Sequence, residues 1–89
     1  MKCQITFRNM DHTEALDDKI KSKSQKIAKF LGPEASAQWV CWTQKNDQIA
    51  ELKVNYKKEH YIAKATSDDL YKTMDLVIDK VSSQIAKNR

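Results

Sequence analysis

The chain has 89 residues, 40% of them hydrophobic and 31% charged, with a net charge of +4 and a pI near 9.1. That length supports one small domain spanning residues 1–89; charges of both signs beside this much apolar content exclude a disordered chain; the basic excess favours an anionic partner. No apolar run approaches the roughly 18 residues of a membrane span, and no signal-peptide pattern opens the chain, so a cytoplasmic location with no membrane partner is expected.

Met1 to Arg8 alternates, with Cys3, Ile5 and Phe7 on one face and Lys2, Gln4, Thr6 and Arg8 on the other, as in a half-buried strand. Asn9 to His12 breaks it, and Thr13 is placed to cap a helix over Glu14–Leu31 whose early turns carry Asp17 and Asp18. Leu16, Ile20, Ile27, Phe30 and Leu31 form the apolar stripe of that helix, Gly32 supplies a left-handed C-cap and Pro33 stops it. Lys19, Lys23, Lys26 and Lys29 cluster on one side. Lys23 falls at the edge of the stripe, where its stem can lie along the core and its ammonium rise to the surface.

Ala35 to Thr43 is rich in β-formers and apolar on both faces, so it is expected as a strand that is central or partly covered on both sides. A polar turn over Gln44–Gln48 leads to a strand from Ile49 to Tyr56, with Ala50, Leu52, Val54 and Tyr56 inward and Glu51, Lys53 and Asn55 outward. After Lys57-Lys58-Glu59, a last strand from His60 to Thr66 turns Tyr61, Ala63 and Ala65 to one face. Ser67 or Asp68 then caps a final helix over Asp68–Lys87, striped by Leu70, Met74, Val77, Ile78, Val81 and Ile85. Lys72, Lys80 and Lys87 fall within an arc of about 80° on one flank of it. The order is β-α-β-β-β-α, an α+β fold. Three strands form an antiparallel meander, the first joins it in parallel through a right-handed crossover, and both helices pack on one face of a four-stranded mixed sheet.

Catalytic chemistry finds no support. His12 and His60 are far apart, and no Cys-x-x-Cys, His-x-x-x-His or calcium-loop pattern is present. Cys3 and Cys41 sit in apolar alternation and read as reduced core thiols, with no histidine placed to activate Cys41. Asp17/Asp18 and Asp68/Asp69 open helices, where carboxylates suit the dipole, and a single glycine leaves no phosphate-cradling loop. No enzyme, metal, cofactor or small-molecule substrate is therefore expected.

The lysine stripes are the remaining signal. They lie on both helices, whose acids are read as concentrated at the helix starts, so helices packed side by side would merge them into one positive surface for phosphates. Trp39 and Trp42 fall on opposite faces of one strand. One belongs beneath the helices; the other, on the uncovered face, packs there or stacks on a base or a partner's ring, and Trp42 is the candidate.

Several stretches resemble the short-form ribosome hibernation promoting factors, a family also described as ribosome-associated inhibitors or sigma-factor modulation proteins. They are Ile5-Thr6, Thr13-Glu14-Ala15-Leu16, Lys23 and Lys26, Ala63 and Ala65, Asp69-Leu70-Tyr71, Asp75, Ile78-Asp79-Lys80 and Gln84-Ile85-x-Lys87. The resemblance implies a stress and stationary-phase factor that binds the small ribosomal subunit, at 16S rRNA in the channel of mRNA and tRNA, and inhibits translation without being an enzyme. It implies phosphate contacts from Lys23, Lys26, Lys80 and Lys87, to which Lys29, Lys72 and Arg89 are added as basic neighbours. Tyr71 matches a family tyrosine, for which ribosome contact and packing on the sheet are equal expectations. Two departures stand out: Ser83 replaces a common arginine, and the chain ends at Asn88-Arg89 without the longer basic end of many short forms. A protein monomeric off the ribosome is expected. The competing reading is a protein-interaction adaptor that modulates a transcription (sigma) factor through the basic face.

Overall fold

The computed structural model describes residues 1–88. The elements are β1 (Lys2–Arg8), α1 (Glu14–Leu31), β2 (Ser36–Gln44), β3 (Asp47–Tyr56), β4 (Glu59–Ser67) and α2 (Leu70–Lys87). They form one mixed sheet in the order β1-β2-β3-β4, with β1 and β2 parallel and the other pairs antiparallel, as expected from the sequence.

Register turns the alternation of each strand into continuous rows. Ile5, Trp39, Leu52 and Ala63 align across the four strands, as do Phe7, Cys41, Ala50 and Ala65. Because side chains alternate with period two, these rows share the face that the helices cover. The helical stripes close the core over them: Ile20, Ile27 and Leu31 from α1, and Met74, Val77, Ile78, Val81 and Ile85 from α2, all buried. Each such aliphatic side chain contributes about 1.5–3 kcal/mol when fully buried. Since β1 and β4 point the same way and each helix runs back along the sheet, α1 and α2 lie parallel, side by side.

Local chemistry differs from the sequence reading at several points. The turn expected over Gln44–Gln48 shortens to Lys45-Asn46, because Gln44 and Asp47 still pair across the strands. Lys45 takes a positive φ of 57°, and Lys57 repeats this at 55° in the next hairpin. Two-residue hairpins need such a backbone to follow the strand twist. Gly32 has φ 111° and ψ 171°, a glycine-only region rather than the compact left-handed cap expected, and its N–H donates to the Ala28 carbonyl at 2.7 Å.

Phe30 does not join the stripe of α1. It lies about 80° off the stripe's centre and is 47% exposed. Ser24 takes the interior place, accepting from the Trp39 indole N–H at 3.0 Å and donating to the Ile20 carbonyl at 2.8 Å. The cap of α2 is Asp69, whose carboxylate accepts from the Tyr71 N–H at 3.0 Å, not Ser67 or Asp68. Ser67 instead braces the turn: its hydroxyl accepts from the Asp69 N–H and lies 2.6 Å from the Thr73 hydroxyl. Thr73 is fully buried and donates to the Gln48 carbonyl at 2.8 Å, which ties the start of α2 to β3.

Candidate nucleic-acid interface

On α1, Lys23 and Lys26 point toward α2. The Lys23 ammonium pairs with the Asp75 carboxylate, and Lys26 Nζ lies 3.2 Å from Asp79 Oδ1. Parallel helices bring residues three and four apart into step, so Lys23/Lys26 meets Asp75/Asp79 as two rungs of one ladder. Lys23 has its stem covered, as its wheel position requires, and its charge reaches the carboxylate instead of open solvent. Lys29 lines the same groove, about 620 Å³ in volume, together with Ser22, Gln25 and Ile78.

This overturns the expectation that the acids gather at the helix starts. Asp75 and Asp79 sit in the middle of α2, between the lysines of the two helices. Lys80 and Lys87 fall on the other flank of α2, and Lys72 on its outer surface. Lys80 Nζ donates to the Lys64 carbonyl at 2.8 Å, and Gln84 Nε2 donates to the Ile62 carbonyl at 2.8 Å. Both satisfy acceptors along the free edge of β4, where an unpaired strand would otherwise present them to another chain. An ammonium has three N–H bonds, so Lys80 keeps two for other acceptors. The basic surface is therefore divided into an α1 groove and an α2 outer flank, with a row of carboxylates between them.

Lys21 is paired as well, its ammonium 2.8 Å from the Asp17 carboxylate, which His12 Nε2 also approaches at 3.0 Å. The hydrogen bond from Lys21 holds the Asp17 carboxyl below its usual range, and the same bond raises Lys21. Lys72 and Lys87 are exposed, and Lys87 complements the C-terminal end of the α2 dipole. Arg89 lies outside the described residues. Tyr71 is 42% exposed and outside the core.

The tryptophans divide as their alternation requires. Trp39 is buried beneath the helices, and Trp42 is half-buried on the open face of the sheet, with Arg8 beside it on β1 and Ile49 on β3. Sequence reasoning missed the Lys–Asp ladder. Its only trace was the spacing of Asp75 and Asp79, four apart, against Lys23 and Lys26, three apart.

Among the described residues no group of three or more His, Cys, Asp or Glu side chains is placed to hold a metal ion. Burial pushes the Cys41 thiol up to about 11, which leaves it protonated and unreactive at neutral pH. No described helix is long and apolar enough to cross a membrane.

The chain is similar over its whole length to the ribosome hibernation promoting factor of Klebsiella oxytoca, at 28% identity over 89 residues and 94% of that protein. Its fold matches the N-terminal domain of Thermus thermophilus protein Y with a TM-score of 0.93, each chain fully covered, at 22% identity. It also matches a ribosomal subunit interface protein from Coxiella burnetii with a TM-score of 0.86 and 27% identity, covering 99% of this chain and 97% of the other. The profile described as sigma 54 modulation protein / S30EA ribosomal protein matches residues 3–89. With the β-α-β-β-β-α order and the paired helices of this structure, that match makes the chain a member of the sigma 54 modulation protein / S30EA ribosomal protein family.

Proposed function

We propose that this protein is a ribosome-associated hibernation factor: it binds the small ribosomal subunit through 16S rRNA, in the channel used by mRNA and tRNA, and inhibits translation under stress or in stationary phase. The observation that carries this reading is the full-length similarity to a ribosome hibernation promoting factor, at 94% of that protein's own length. The chemistry of the helix side is compatible with it. Lys23, Lys26 and Lys29 line one groove, and Lys72 and Lys87 stand exposed on the neighbouring helix. Lysines held this way act as phosphate-binding point charges with little sequence preference. Asp75 and Asp79 hold Lys23 and Lys26 in place, and a phosphate oxygen can take the place of either carboxylate.

Co-sedimentation with purified small subunits tests this. The protein should pellet with them at low salt and be released between about 50 and about 200 mM salt, as counterion-linked binding requires. Charge reversal by Lys72→Glu with Lys87→Glu should lower the salt slope by up to about two, one for each lost phosphate contact. Failure to pellet at every salt concentration would exclude the ribosomal reading and favour a protein-directed adaptor.

A further inference from the structure

The face of the sheet opposite the helices has its own chemistry. Register assembles it from the residues that alternate away from the core. Arg8, Trp42, Ile49 and Thr66 form one row, Thr6, Val40, Glu51 and Lys64 the next, and Gln4, Gln38, Lys53 and Ile62 a third. Among the described residues no element covers it. Trp42 and Val40 are half-buried, Ile62 is 54% exposed, and Ile49 is buried beside the indole although it points outward.

Four cations, Lys2, Arg8, Lys53 and Lys64, are exposed on this face. None has a carboxylate within ion-pairing distance among the described residues; on the helix side Lys21, Lys23 and Lys26 are paired, while Lys19, Lys29, Lys72 and Lys87 are not. The carboxylates on this face are Glu51, half-buried at its centre, and Asp47, at the hairpin rim beside Lys45. The surface thus carries a half-buried aromatic ring in its end row with Arg8 beside it, and Lys64, Lys53 and Lys2 in successive rows along the strands, Glu51 facing Lys64 in the register.

We infer that the open sheet face, centred on Trp42 and Arg8 with Lys53 and Lys64, is a second nucleic-acid surface that takes single-stranded RNA by stacking a base on the Trp42 indole. Charge complementarity selects the occupant: the unpaired cations match a phosphate backbone. The ring's position selects the single strand. A flat sheet cannot enter the deep, narrow groove of an RNA duplex, while an unstacked base can lie on an aromatic side chain. Arg8, next to Trp42 in the register, can stack beside the same base or hold its phosphate. This surface lies across the sheet from the helix groove and is independent of the ribosomal reading above.

The test uses the whole protein and a fluorescently labelled oligouridine, with an RNA duplex of the same length as control. Binding should be saturable and salt-sensitive, and should quench the emission of Trp42, since Trp39 is buried on the other face. Lys53→Glu with Lys64→Glu should weaken it about tenfold or more, and Lys29→Glu with Lys72→Glu, an equal change of net charge on the helix side, should weaken it less. Trp42→Ala should cost about tenfold while Trp42→Phe retains most of the affinity, because stacking tolerates any aromatic ring. The inference is overturned if the oligouridine does not bind, if it binds without quenching Trp42, if the duplex binds as tightly, or if the helix-side reversal costs as much as the sheet-side one. Sedimentation with small subunits separately decides the ribosomal reading, so the two can fail independently.

Discussion

The two faces of the sheet handle positive charge in different ways. On the helix side, Lys21, Lys23 and Lys26 each meet a carboxylate, and Lys80 is tied to a strand carbonyl. On the open side, Lys2, Arg8, Lys53 and Lys64 meet none among the described residues. Lys19, Lys29, Lys72 and Lys87 on the helices also meet no carboxylate among the described residues, so a count of lysines overstates the free charge of the helix side without emptying it. Ion pairs at the surface contribute little stability, but they decide which charges are available to a polyanion without first breaking a contact.

The largest effect separates the two tryptophans. Trp39→Ala should cost about 3–5 kcal/mol, as removal of a core aromatic does. Trp42→Ala should cost less, about 2 kcal/mol, since that ring is only partly buried. Urea unfolding midpoints measure both, and equal losses would show that the open face is as much core as the helix side.

A second comparison acts on binding. Asp75→Asn with Asp79→Asn removes the carboxylates that occupy Lys23 and Lys26. Stability should fall by no more than about 1 kcal/mol, because both acids are exposed. The salt slope for small-subunit binding should steepen by up to about two as both lysines become free for phosphate. An unchanged slope would mean that these lysines already exchange their carboxylates for phosphate at no cost, or that they make no contact.

Lys80→Met keeps the apolar stem and removes the donor to the Lys64 carbonyl. A loss of about 0.5–1 kcal/mol is expected, the size of one exposed hydrogen bond. Amide exchange along β4 should report it locally.

The smallest effect is the response of stability to acid. Asp17 has its folded pKa depressed below the ordinary 3.8 by the Lys21 hydrogen bond. Its contribution is therefore full above that value and is lost as pH falls through the folded one. The stability gap between the wild-type protein and Asp17→Asn should shrink as pH drops below 3.8 in circular-dichroism melts. A gap that stays constant there would mean that Asp17 acts through helix geometry and not through charge.

Much of the fold was legible because periodicity is local. The spacing of Leu70, Met74, Val77, Val81 and Ile85 dictates a helix with one buried stripe, whatever it packs against. Alternation at Cys3, Ile5 and Phe7 likewise requires a one-sided strand. Structure departs from local pattern where two elements have to agree. Phe30 looked apolar enough for the α1 stripe, yet the sheet accepts Ser24, whose hydroxyl satisfies the buried Trp39 indole. Ser67 and Asp68 were plausible caps, but Thr73 bonds back to Gln48 and sets the turn so that Asp69 does the capping.

The candidate site divides along the same line. The sequence by itself determined the element order, the stripes that bury, and the flank of each helix on which its lysines lie, because these depend on angles between residues of one segment. Only the tertiary structure decided what those flanks face. It brought Asp75 and Asp79 against Lys23 and Lys26, laid Lys80 on the edge of β4, and gathered Arg8, Trp42, Lys53 and Lys64 on one face from four different strands. A helical wheel or an alternating strand gives a side chain's direction, while its partner is set by the register and placement of another element, which no single segment encodes.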